Sequence, residues 1–149
     1  MSTLYSIAVH AHSGLRWLLL MLLVYAVVLS FSRWRNRSKH VPSDKKWYLI
    51  TLILSHLQLV LGLYLYFVSP KVVFNENTME DSFLRFYAVE HTSIMILAIV
   101  LITLAYRVFK SASEALNPYQ KLFWYYFIAL VLILSRIPWP GMDLNAGWF

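Results

Sequence analysis

The chain has 149 residues, of which 60% are hydrophobic and only 13% charged, with a mean hydropathy of +0.59. A soluble domain carries about 25% charged residues, so these values exclude a water-soluble globule and an intrinsically disordered chain alike. Cysteine is absent, which excludes disulfides, thiolate metal sites, iron–sulfur clusters and the covalent Cys-x-x-Cys-His attachment of haem. The net charge of +6 comes mostly from basic residues beside apolar runs, a pattern that points to a lipid surface rather than to nucleic acid.

Four apolar runs approach or exceed the roughly 20 residues that cross a bilayer, at about residues 4–31, 47–68, 86–109 and 122–137. None has the alternation of a transmembrane β-strand. The sequence therefore predicts an all-α, four-helix transmembrane bundle forming a single domain over residues 1–149. The first run has no basic stretch before it and is too long for the core of a signal peptide, so it is expected to be retained. It carries His10, His12, Gly14 and Arg16. His12 and Arg16 are four apart and share a helix face, while His10 aligns with Gly14 and Trp17 instead.

The connection that follows holds Arg33, Arg35, Arg37, Lys39, Lys45 and Lys46 against Asp44, with His40 as a loop residue. In the second span Thr51, Ser55, Gln58 and Gly62 form a small or polar stripe suited to close helix packing. His56 falls on a different face, with Leu52, Leu59, Leu63 and Phe67, the greasier surface expected to wall a flat apolar cofactor. The next loop is the acidic one, with Glu76, Glu80 and Asp81 against Lys71 and Arg85. Glu90 and His91 interrupt the third span near its start, and Met95 follows one turn later. Arg107, Lys110 and Lys121 against Glu114 then mark another basic connection. The fourth span contains Arg136 and is stopped by Pro138 and Pro140. Lysine and arginine gather on the cytoplasmic side, so both termini are expected on the outer, periplasmic side. Trp34, Trp47, Trp124, Trp139 and Trp148 lie near span ends, where interfacial aromatic belts form.

Ionisable side chains inside a span are functional candidates by default. The helix rise of about 1.5 Å per residue places His12 roughly 28 Å, Arg16 roughly 22 Å, His91 roughly 27 Å and Arg136 roughly 21 Å above the basic side, with Glu90 just above His91. Groups from three helices thus share one outer layer, whereas His56 falls at roughly 13 Å. Two neutral imidazoles on different helices at one depth, with apolar walls, are what a bis-histidine haem b requires. His12 (or His10) with His91 is the expected axial pair, and His56 with His91 is a second. Gly14 is expected to give clearance, Arg16 and Arg136 to meet propionates or to balance Glu90, and Glu90 to carry a proton. A non-haem metal held by His10, His12, His56, His91 and Glu90 is the rival chemistry. It is weakened because Glu90 and His91 are adjacent and point about 100° apart. Each histidine also has a plain structural reading, as a hydrogen-bond partner across the bundle.

The segment from His10 to Trp17, together with Ser55–Leu59, Glu90-His91, Ile137–Pro140 and the closing Gly147-Trp148-Phe149, resembles a group of short, four-span bacterial membrane proteins labelled cytochrome b, common in Bacteroidota. The resemblance covers nearly the whole chain. It implies haem b, with His10, His12, His56 and His91 as candidate ligands, and a bacterial inner membrane. Larger cytochromes b carry two histidines on each of two ligating helices. That pattern is missing here, so one haem per chain is expected. The implied role is electron transfer near the outer face, to or from a quinone or a redox protein. The alternatives are an accessory subunit or assembly factor of a respiratory complex, or a small porphyrin-handling or quinone-dependent membrane enzyme.

Overall fold

A computed structural model describes residues 3–113, 117–142 and 144, and these contain helices, turns and no strand. Glu114 and the closing Gly147-Trp148-Phe149 lie outside the described residues. Helix α1 runs Thr3–Arg35, and α2 runs Lys45–Val68 after a 3-10 turn at Pro42–Asp44. The short helix α3, Ser82–Arg85, leads through a π-helical turn at Phe86–Glu90 into α4, His91–Ser111. Helix α5 runs Tyr119–Arg136. Three stretches are long and apolar enough to cross a membrane: Thr3–Arg35, Pro42–Val68 and Ser82–Ser111. The expected run at 122–137 is the 18-residue α5, which has Gln120 and Lys121 in its first turn, Ser135 and Arg136 in its last, and Ile137 outside the helix.

The long helices close into a ring in which α1 packs on α2 and α5, and α4 packs on α2 and α5. Their outward faces carry Leu18, Met21, Ile53, Val60, Val100 and Val131 exposed, as contact with lipid tails allows. Call the end with the start of α1 and the Ser69–Asp81 loop the upper end, and the end with Arg33 and Asp44 the lower. Below the middle the interior is dense. Ala26, Ala98, Ala105 and Ala129 are fully buried and let the helices approach, while Tyr48, Phe109 and Tyr126 fill the space between them. In lipid such contact is what holds helices together, because tails are as apolar as the side chains.

The lower end is tied by polar groups. Asp44, 4% exposed, accepts from Arg33 Nε at 3.0 Å and Nη2 at 3.1 Å, and from the Tyr119 hydroxyl at 2.9 Å. That hydroxyl in turn accepts from Val41 N–H at 3.0 Å. Helices α1, α2 and α5 are thereby joined through one carboxylate. Helix α1 ends one turn beyond Phe31, where Arg37 adopts a left-handed conformation (φ 49°) and the Ser38 and Arg37 N–H groups bond the carbonyls of Arg33 and Trp34.

Candidate functional site

The π-helical turn sets up the site. Asp81 caps α3 by accepting from the Phe83 and Leu84 N–H groups. Five residues on, the His91 N–H reaches back to the Phe86 carbonyl instead of bonding four residues back. A π turn holds one residue more than an α turn and leaves carbonyls poorly served. Here the Tyr66 hydroxyl donates to the Ala88 carbonyl at 3.1 Å and the Thr92 hydroxyl to the Tyr87 carbonyl at 3.3 Å. The adjacent residues Glu90 and His91 then take separate partners. Glu90 accepts from Arg85 Nε at 2.9 Å and pairs with Arg136 Nε at 3.6 Å. The His91 ring packs on buried Phe86 and faces His12.

His91 is oriented by the end of α5. Ile137 is extended, as the residue before a proline tends to be. Pro138 and Pro140 carry no N–H, so the carbonyls four residues earlier, Leu134 and Arg136, lose their helical donors. Trp139 Nε1 supplies one at 3.0 Å to Leu134, and His91 Nδ1 supplies the other at 2.7 Å to Arg136. A carbonyl can only accept, so Nδ1 carries the proton and Nε2 keeps its lone pair. The prolines therefore do more than stop the helix, and their i+4 spacing to Leu134 and Arg136 was the signal for it.

His12 stands opposite, its ring centroid 6.4 Å from that of His91 with 69° between the planes. Its position is set by α2. Gln58 Nε2 donates to the His12 carbonyl at 2.8 Å, and a Cβ at Gly62 would lie 3.1 Å from His12 Cε1. Among the described residues His12 Nδ1 and Gln58 Oε1 are buried with no hydrogen-bond partner. A cavity of about 350 Å³ opens beside the pair, walled by Leu20, Leu59, Met95, Ile99 and Ile133, with Arg16 and Lys71 also on its lining. That volume is at the small end for a cofactor or ligand site.

The matched depths bring together His12, Arg16, His91, Glu90 and Arg136, as helix rise implies. Other expectations are redistributed. His10 is exposed, its Nδ1 bonded to the Ser6 carbonyl at 2.7 Å. His56 is exposed too, with Nδ1 on the Leu52 carbonyl at 2.9 Å, and of its face only Leu59 and Leu63 reach the cavity while Phe67 is 81% exposed. Clearance comes from Gly62 and not from Gly14, beside which a Cβ would meet nothing within 4 Å. Glu90 is off the cavity lining and sits between the guanidinium groups of Arg85 and Arg136. Arg16 stays on the lining, its guanidinium 5.1 Å from the Trp17 ring centroid. No group of three or more His, Asp or Glu able to hold a metal ion occurs among the described residues. No family model, no curated protein and no solved structure matches the chain.

Proposed function

We propose that this chain is a membrane-embedded b-type haem protein that passes single electrons, with one haem between His12 and His91. The observation that carries the reading is the 6.4 Å separation of the two ring centroids. His12 and His91, on different helices, would be the residues that hold the group, each through a ring nitrogen. When bound, the group supplies a reversible one-electron couple.

The protein's part is positioning. His91 presents Nε2 because its Nδ1–H is committed to the Arg136 carbonyl, a second-shell bond of the kind that fixes ring orientation and raises ligand basicity. Gly62 gives His12 room on the other side, and apolar side chains such as Leu59, Met95 and Ile99 line the cavity beside the pair. In this reading α5 is the fourth crossing, and the basic lower end, with Arg33, Arg35 and Arg37, faces the cytoplasm. The histidine pair then lies toward the periplasmic face of a bacterial inner membrane. A quinone or a redox protein at that face would exchange electrons with it.

A reduced-minus-oxidised visible spectrum of the purified protein, with haem quantified per chain, tests this. A sharp low-spin b-type signal near one haem per chain is the expected result. Its absence after expression with ample haem overturns the reading and favours an accessory subunit of a respiratory complex.

A further inference from the structure

Two buried polar atoms where α1 meets α2, His12 Nδ1 and Gln58 Oε1, have no hydrogen-bond partner among the described residues. Both belong to side chains on the cavity lining. An amide oxygen can only accept, so the two answer each other directly in one protonation state alone, with the proton on Nδ1. We propose that the Gln58 side chain is the positioning residue that sets the tautomer of His12: Nδ1–H is committed to Gln58 Oε1, and the lone pair is left on Nε2. The part this plays in ligation rests on the haem reading; the tautomer itself does not.

The surroundings of the ring point the same way. Gln58 Nε2 already donates to the His12 carbonyl at 2.8 Å, so the amide is seated on the residue whose ring it serves, and its oxygen is the unused end. A Cβ at Gly62, one turn after Gln58, would lie 3.1 Å from His12 Cε1 and 3.8 Å from Nδ1. The Nδ1–Cε1 edge is therefore the one pressed on α2. The Gln58 backbone carbonyl also lies toward the ring, but it serves the helical bond to the residue four on. A lone pair on Nδ1 would face these acceptors, whereas a proton there suits them. The ionisable neighbours of the ring are His91 and Arg16, and neither side chain carries an oxygen. His91 reaches the same state by another route, its Nδ1–H on the Arg136 carbonyl at 2.7 Å. One ring is thus set by a main-chain carbonyl that a proline frees, the other by an amide reaching across from α2. Both then keep Nε2 for a shared ligand, as second-shell bonds to ligating imidazoles do.

Nitrogen-15 NMR of the cofactor-free full chain in detergent, labelled at histidine and held at a pH where imidazoles are neutral, separates protonated from bare ring nitrogens. The His12 signals are assigned by their loss in His12→Ala. Expected in the unaltered chain is a protonated Nδ1 and a bare Nε2. Gln58→Leu should spread the proton over both nitrogens, because the acceptor that fixed it is gone. Gln58→Glu lacks the amide donor as Leu does but keeps an acceptor oxygen, so it should hold the proton on Nδ1. Haem titrations of the same chains should show binding weakened about tenfold by Gln58→Leu and largely restored in Gln58→Glu. A proton on Nε2 in the unaltered chain, the state a water donating to both atoms would leave, overturns the inference while the haem reading stands on its own spectrum. An unchanged tautomer in Gln58→Leu also overturns it, since the backbone carbonyl then suffices. The expected tautomer with no low-spin spectrum on adding haem overturns the haem reading and the role in ligation. The reading on the unaltered chain needs no substituted protein to fold.

Discussion

The two halves of the bundle use polar groups in opposite ways. At the lower end the buried carboxylate of Asp44 is answered by Arg33 and Tyr119, and the Ser30 and Tyr48 hydroxyls bond each other at 2.9 Å. Around them alanine and aromatic side chains are packed with almost no exposure, although the Tyr126 hydroxyl and His40 Nδ1 are buried there without a hydrogen-bond partner among the described residues. At the upper end the helices stand apart around a cavity, and two of its polar atoms, His12 Nδ1 and Gln58 Oε1, are unanswered within the described chain. Unsatisfied buried polar atoms are costly. A fold that closes one end so thoroughly and leaves the other open is divided into a clamp and a receptacle.

Four sets of substitutions would break or sharpen that division. The largest effect is expected from His91→Ala and His12→Ala, each of which should remove the low-spin spectrum and cut bound haem by more than about tenfold. Retention of full haem by either variant would end the pairing proposed here. Asp44→Ala should leave the spectrum of the folded protein unchanged but destabilise it by about 2 kcal/mol, because Arg33 regains water while the Tyr119 hydroxyl loses an acceptor. Thermal unfolding in detergent, followed by circular dichroism, reads this. A changed haem spectrum would show that the two ends are coupled.

Gly62→Ala comes next, since its new methyl group presses on the His12 ring from 3.1 Å. A few-fold weaker haem affinity, about 1 kcal/mol, is expected, against no loss for Gly14→Ala, where the space is open. Titration of both variants side by side decides whether α2 positions His12. The smallest effects are expected from His10→Ala and His56→Ala, whose rings face outward. Haem content within about 20% of the unaltered protein is the outcome that fits, substitutions at outward positions being close to neutral.

Much of the site was legible because helix rise is nearly constant. Counting residues from the basic ends was enough to align His12, Arg16, His91, Glu90 and Arg136. Rotation about the helix axis was less legible. His10 and His12 are two residues apart, and the tie is broken only by Gly62 and Gln58 on another helix. Those two had stood out as part of a packing stripe, with no sign that His12 was what they pack against. The partnership of Glu90 with Arg85 was hidden because a π turn separates them, and no apolar period announces such a turn. Lys71 read as an ordinary loop charge, since nothing in a linear sequence says that Ser69 folds the next residues back over the cavity.

The π turn also has a meaning for chain length. Between Arg85 and His91 the helix carries one residue beyond what a regular α-helix would use. Deleting a single residue there, such as Val89, would let the helix rewind. Everything before the deletion would rotate by about 100° around α4, while the 21 residues from His91 to Ser111 stayed seated. Tyr87 would swing away from Lys71 and Arg85 from Glu90, with no side chain chemically altered. The upper loop is phased to the bundle by one surplus residue, so a deletion of one codon there would be felt more than most substitutions nearby.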